Sequence, residues 1–206
     1  MPFLTGSPWW LRKFYPNFLW SMPVGEKKIY FSFDDGPLPV TTPFVLDTLK
    51  EFNAKASFFC IGKNVQQHPD IYHRVLEEGH TVGNHSFNHL NGWKTEDDLY
   101  VDNILKAGEL ISSDLFRPPY GRIKKSQVSK LRIMKPEMKV VMWSVLSGDF
   151  DVSISGEDCL HIVKSKAGDG AIIVFHDTEK AFARLRYCLP QTLKHFAEQG
   201  YNFEKL

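Results

Sequence analysis

The sequence is sparing in most of the features that would assign it quickly. It holds three cysteines, Cys60, Cys159 and Cys188, in 206 residues. They are odd in number and far apart, so neither a disulfide framework nor a Cys-x-x-Cys metal site follows from them. Cys60 lies in an apolar run over residues 56–61 and reads as a small core residue. Neither sign of charge is in excess: 25 Lys and Arg face 24 Asp and Glu, a formal net charge of +1. That balance argues against an electrostatically driven nucleic-acid partner, and no nucleic-acid-binding motif stands out. No apolar run is long enough for a membrane span. The most aromatic stretch, residues 9–20, is short and is broken by Arg12, Lys13 and Pro16. Met1-Pro2-Phe3 lacks the basic start of a secretory leader, so a cytoplasmic location is the default expectation and an extracytoplasmic one the alternative. Linkers, internal repeats and low-complexity tracts are missing too, which leaves one domain of a size that suits a single α/β unit.

What the chain does have is a succession of short apolar runs separated by helical patterns. Strands are expected at 29–34, 56–61, 80–84, 115–117, 139–143, 171–175 and 201–203. Helical spacing is found over 42–52, 69–78, 95–111, 156–166 and 183–199, with a polar helix beginning at Lys124. Thr95 reads as an N-cap followed by Glu96, Asp97 and Asp98 in the first turn. About seven nearly all-apolar strands with helices between them imply a parallel sheet covered by helices, either a βα barrel or an open doubly wound sheet. Residues 1–28 form an aromatic-rich segment with a short helix expected to pack over the domain at 29–206.

Polar residues collect where those strands end. Asp34-Asp35-Gly36-Pro37, His85, Arg117, Asp149 and His176 all stand at or just past apolar runs. Adjacent carboxylates repel and are costly to desolvate unless a cation, a proton or hydrogen bonds compensate. His85 and His89 are four residues apart, a spacing that puts both rings on one face if the segment makes a helical turn. With Asp35 they make a two-His, one-carboxylate set that leaves metal positions open, as catalytic sites do. Metal-assisted hydrolysis also needs a base and an acid. Asp34 is the candidate base and Arg117 can orient it with paired donors. His176 is the candidate acid, with Asp149 holding either that imidazole or Arg117. Asp177 reads as a turn or cap residue. His68, His73, His80, His161 and His195 read as structural or surface residues.

Phe33-Asp34-Asp35-Gly36-Pro37, His85-Ser86-Phe87-Asn88-His89, Arg117-Pro118-Pro119-Tyr120-Gly121, the stretch 143–150 and Val174-Phe175-His176-Asp177 resemble, in order, five motifs of the polysaccharide deacetylase family. This is the NodB-homology group, carbohydrate esterase family 4, and the resemblance covers residues 29–206. It implies an α/β fold, a single-domain distorted (β/α) barrel with seven parallel strands and outer helices. It implies one divalent metal ion, usually zinc, with cobalt, nickel, manganese or iron as alternatives. The implied reaction removes N-acetyl groups, occasionally O-acetyl groups, from a carbohydrate substrate such as a chitooligosaccharide or peptidoglycan. Carried over by position, Asp34 is the base, and Asp35, His85 and His89 are the metal ligands. Arg117 braces the base, the Tyr120 backbone N–H is an oxyanion donor, His176 is the acid and Asp149 is its electrostatic partner.

The sequence departs from the family pattern in three places. Leu146-Ser147-Gly148-Asp149-Phe150 stands where the family often has Asp-x-x-Asp-Trp, Val174 stands for a leucine in the pocket floor, and Ser32 for a threonine. These changes touch the walls around the substrate more than the reacting groups. Three rival readings start from the same residues. An iron(II) oxygenase also uses two histidines and one carboxylate, but with His-x-Asp first and on an all-β scaffold. The others are a glycan-binding module without catalysis and an amide hydrolase for a small non-sugar substrate; Trp93 and the N-terminal aromatics would build either a sugar platform or a small closed pocket.

Overall fold

The computed structural model describes residues 5–206. Seven strands, β1 (Lys28–Asp34), β2 (Ala56–Cys60), β3 (Thr81–Asn84), β4 (Leu115–Phe116), β5 (Lys139–Val140), β6 (Val145–Leu146) and β7 (Ala171–His176), pair in the order β5-β4-β3-β2-β1-β7-β6. Every one of these pairings is parallel. A short β8 (Asn202–Phe203) joins the start of β1. The helices are α1 (Trp9–Phe14), α2 (Thr41–Glu51), α3 (Gly62–Gln67), α4 (Pro69–Glu77), α5 (Asp97–Gly108), α6 (Lys125–Met134), α7 (Gly156–Lys166) and α8 (Glu179–Glu198). Among the described residues no helix is long and apolar enough to cross a membrane.

The strand order dictates curvature. β5 and β6 are consecutive in the chain yet lie at opposite ends of the seven-strand path. Laid flat, six steps of ~4.8 Å would separate them by about 29 Å. The five-residue step from Val140 to Val145 reaches at most about 18 Å. The sheet therefore curls into a half-barrel with helices around it, as expected from the family resemblance. The chain's own start lies along both free margins. Leu19 N–H donates to Val140 O (2.9 Å) and Met142 N–H to Leu19 O (2.7 Å) on the β5 side. On the β6 side Ser7 N–H donates to Ser144 O (3.3 Å) and Leu146 N–H to Thr5 O (3.0 Å).

The twofold period of β1 sorts its side chains between two environments. Ile29, Phe31 and Phe33 join the large cluster formed with Val45, Leu46 and Leu189 of the covering helices. Phe33 stacks on Phe58 (5.1 Å) and Phe175 (6.1 Å). Tyr30 belongs instead to the cluster with Phe59, Val141 and Ile172, and Ser32 and Asp34 meet Arg117. The strand is thus apolar towards the helices and becomes polar on its other face as it approaches its C-terminal end.

Several elements differ from the sequence reading. The apolar run expected as a strand over 139–143 pairs with β4 only at Lys139 and Val140, and the two-residue β6 follows it. Strands that short carry no readable period. α3 was not anticipated, because its Gly-Lys-Asn-Val-Gln-Gln sequence buries only Gly62 and Val65. The N-cap of α5 is Glu96 rather than Thr95, whose hydroxyl donates to Asn91 O (2.8 Å) instead. α8 starts at Glu179, earlier than residue 183, because Thr178 caps it by accepting the Ala181 N–H. Cys60 is buried as expected, and His80 is a structural histidine whose Nδ1 accepts the Ala56 N–H (3.2 Å).

Candidate metal centre

Sheet register brings the strand-end residues together. Asp34 pairs across the ladder with His176 on one side and with Phe59 on the other. Partners in register on neighbouring strands share a face and stand ~4.8 Å apart. Asp34 and His176 are consequently neighbours by construction, although 142 residues separate them. Asp34 is buried at 4% exposure. The next residue, Asp35, has φ 82°, a left-handed conformation that takes it out of the strand alternation. Both carboxylates then reach one cleft. A Cβ on Gly36 would lie 2.1 Å from Asp177 Oδ2, so the turn tolerates no side chain there.

Asp35, His85 and His89 form a group whose ligand atoms all lie within 4.8 Å of one another. The loop that carries the two imidazoles is not helical, contrary to the i,i+4 reasoning. Ser86 (φ 62°) and His89 (φ 57°) are both left-handed, and this double reversal is what folds His89 back beside His85, their ring centroids 5.1 Å apart. Asp35 Oδ1 lies 3.5 Å from His85 Nε2 and 3.1 Å from His89 Nε2. It is nonetheless a buried oxygen with no well-formed hydrogen bond. Three donor atoms that converge without bonding to one another suit a common cation, and a carboxylate with two imidazoles suits zinc or a similar divalent ion. Burial pushes the Asp35 carboxyl up, but the two imidazoles outweigh it and hold it well below the usual carboxylate range. Deprotonated Asp35 is the form that ligates a cation.

Outside the three ligands, backbone and amide groups fix the loops. His85 Nδ1 is 2.7 Å from Arg117 O, which leaves Nε2 for a metal. Asn103, on α5, accepts the N–H groups of Phe87 (3.0 Å) and Asn88 (2.9 Å). Asn64, on α3, donates to Asp35 O (2.7 Å). Neither asparagine was singled out in the sequence. Both lie on helices away from the motifs, and nothing in their local pattern marks them.

Arg117 is wholly buried and stacks 3.9 Å above the Phe59 ring. It meets Asp34 through a single contact, Nη1 to Oδ1 at 2.6 Å, and not through the paired donors expected. Its other N–H groups go elsewhere: Nη1 also to Ser32 Oγ (2.8 Å), Nη2 to Met142 O (2.9 Å) and Nε to Val141 O (3.3 Å). The two carbonyls lie just past β5, where the sheet ladder stops, and the guanidinium satisfies them. Ser32, one of the three departures from the family pattern, is part of this network.

His176 Nδ1 is 2.8 Å from Asp149 Oδ1, and the His176 N–H donates to Asp149 Oδ2 (2.7 Å). Asp149 is fully buried and also accepts from Ser147 Oγ (3.0 Å). Of the two partners considered for it, the structure pairs Asp149 with the imidazole. Burial disfavours the His176 cation, but the Asp149 charge and hydrogen bond prevail and raise it to about 9. Asp177 is more than a turn residue. Its buried carboxylate accepts the Gly36 N–H (3.0 Å) and the Thr42 hydroxyl, while its N–H donates to Asp34 O (3.2 Å). Burial raises its carboxyl to about 7, against the opposing hydrogen bond from Thr42. Tyr120 is left-handed (φ 59°, ψ 10°), and its exposed ring meets His89 edge-on at 4.5 Å.

These groups open on a cleft of about 740 Å³, within the range of small-molecule and glycan sites. It is lined by Asp34, Asp35, His85, His89 and His176, by Trp93 and Trp143, and by Trp10 and Leu11 of the N-terminal segment.

Comparison with known proteins gives a consistent picture. Residues 21–135 match the family model described as polysaccharide deacetylase. The chain is similar to a peptidoglycan-N-acetylglucosamine deacetylase of Bacillus cereus, 35% identical over 191 residues that span 89% of this chain and 88% of that one. It is also similar to a peptidoglycan-N-acetylglucosamine deacetylase of Listeria monocytogenes, 36% identical over 184 residues, which are 86% of this chain but only 38% of that longer protein. Among solved structures it resembles the Bc1960 peptidoglycan N-acetylglucosamine deacetylase in complex with 4-naphthalen-1-yl-N-oxidanyl-benzamide. The TM-score is 0.87 at 29% identity, covering 97% of this chain and 95% of that one.

Proposed function

Since the chain belongs to the polysaccharide deacetylase family and is a polysaccharide deacetylase-like hydrolase, we propose that it removes N-acetyl groups from N-acetylglucosamine units of a peptidoglycan-like or chitooligosaccharide glycan, using one divalent cation, zinc foremost. The observation that carries this reading is the convergence of Asp35, His85 and His89 beside Asp34 and His176 in one cleft. The hydroxamic acid bound by the structural relative belongs to a class that chelates metals, which supports the same centre.

A cation held by Asp35, His85 and His89 would polarise the acetamide carbonyl and lower the pKa of water at the site. Asp34 takes the proton of the attacking water, its carboxylate held in place by Arg117. The Tyr120 backbone N–H supplies a donor where negative charge develops on the carbonyl oxygen, an interaction worth roughly 3 kcal/mol in such sites. His176, kept protonated by Asp149, gives its proton to the departing glucosamine nitrogen. Arg117 and Asp149 are positioning residues in this scheme.

The test is acetate release from chitooligosaccharides, peptidoglycan fragments and O-acetylated xylan by zinc-loaded and chelator-treated protein. Release from the N-acetylated substrates only, lost on chelation and lost in Asp34→Asn with zinc still bound, is the expected result. Release that survives chelation would refute the metal role, and near-normal rates in Asp34→Asn would remove it as the base.

A further inference from the structure

The six-residue helix α1 carries three large aromatic side chains that the fold leaves open. Trp9 is 76% exposed, Trp10 46% and Phe14 64%, and no residue of the helix is buried. Burial therefore does not account for their type. Trp10 differs from the other two in lining the cleft that contains Asp35, His85 and His89. Its position is fixed, because the backbone on either side of α1 is bonded to the margins of the sheet at Ser7 and Leu19. Trp93 lines the same cleft, but the Arg122 guanidinium lies over its ring at 5.1 Å and its Nε1–H donates to Ile123 O (3.4 Å).

We propose that Trp10 is a stacking platform for a second sugar ring of the glycan whose N-acetyl group is at Asp35, His85 and His89, so that the N-terminal segment makes the enzyme sensitive to substrate length. This rests on the functional reading above. A pyranose ring has an apolar C–H face and a polar rim, and an indole offers it a flat apolar surface without demanding hydrogen bonds. The cleft supplies the continuity: Trp10 and the reacting groups line one and the same cavity of about 740 Å³.

The experiment compares kcat and KM for N-acetylglucosamine oligomers of increasing length, dimer to hexamer, in zinc-loaded wild type, Trp10→Ala, Trp10→Tyr and Trp9→Ala. In wild type kcat/KM rises with length. Trp10→Ala lowers the hexamer-to-dimer ratio of kcat/KM about tenfold, mainly through KM, the size of effect expected for one lost aromatic contact. Trp10→Tyr restores most of it, and Trp9→Ala, outside the cleft, leaves the ratio alone. A wild-type profile flat with length, or an unchanged ratio in Trp10→Ala, overturns the proposal. If wild type releases no acetate from any oligomer, the functional reading fails. Calorimetric titration with the hexamer then decides the stacking: about tenfold weaker binding in Trp10→Ala upholds it, and equal binding overturns it.

Discussion

Replacing Arg117 with methionine isolates the centre of the buried network. The guanidinium is fully enclosed and serves four acceptors: Asp34, Ser32, and the carbonyls of Val141 and Met142. Burial pulls it below its ordinary value while the Asp34 charge opposes the change. Methionine fills most of the volume over Phe59 but leaves Asp34, 4% exposed, as an uncompensated buried carboxylate. Breaking a buried pair from one side costs about 3–5 kcal/mol. In a domain of this size each kcal/mol moves Tm by about 2–4 °C, so Arg117→Met should melt about 6–20 °C below wild type. Adding Asp34→Asn should recover part of that loss, because the second change removes the stranded charge. The assay is urea and thermal unfolding of the four proteins of the double-mutant cycle, all free of metal. A loss below about 1 kcal/mol, or a double variant no more stable than Arg117→Met, would refute the claim that the pair is mutually dependent.

Three further outcomes are expected. In metal-free protein His176 should titrate near 9, and Asp149→Asn should bring it down towards its ordinary value, as read by NMR of the imidazole. Because the folded value is raised above 6.5, the ion pair stabilises fully below about 6.5 and its contribution fades as pH rises to about 9, so Asp149→Asn should flatten that part of the stability profile. His89→Ala should weaken zinc binding at least tenfold in competition titrations, and metal retained through dialysis would contradict the ligand assignment. Asn103→Ala removes the side-chain acceptor of the Asn88 N–H, while the Phe87 N–H keeps the Asn103 main-chain carbonyl (3.1 Å), so it should cost about 1–3 kcal/mol and reduce zinc affinity, although Asn103 touches no ligand.

Much of the fold and site could be read from residues alone, and the reasons are local. Apolar runs with a break after them locate β1, β2, β3 and β7, and the polar residues at the ends of β1, β3 and β7 mark the functional end of the sheet. Asp34, Asp35 and His176 were visible for that reason. The way His85 and His89 meet was not, since no propensity requires Ser86 and His89 to be left-handed; packing against Asn103 and Arg117 O secures that loop. Asp177 looked like turn chemistry because its partners, Gly36 and Thr42, lie about 140 residues away. β6 escaped because a two-residue strand is defined by its neighbour and not by its own pattern.

The pairing of residues 5–21 with both margins of the half-barrel bears on what its edges can pair with. The gap between β5 and β6 is covered at Val140, Met142, Ser144 and Leu146 by main-chain bonds from Thr5, Ser7 and Leu19. Without them the sheet would present two raw edges, each a template for another chain's strand. A protein shortened to begin after residue 21 should keep the ligand triad in its sequence and still elute as large particles on gel filtration. Residues 5–21 act as a clasp over two edges that would otherwise be open to pairing.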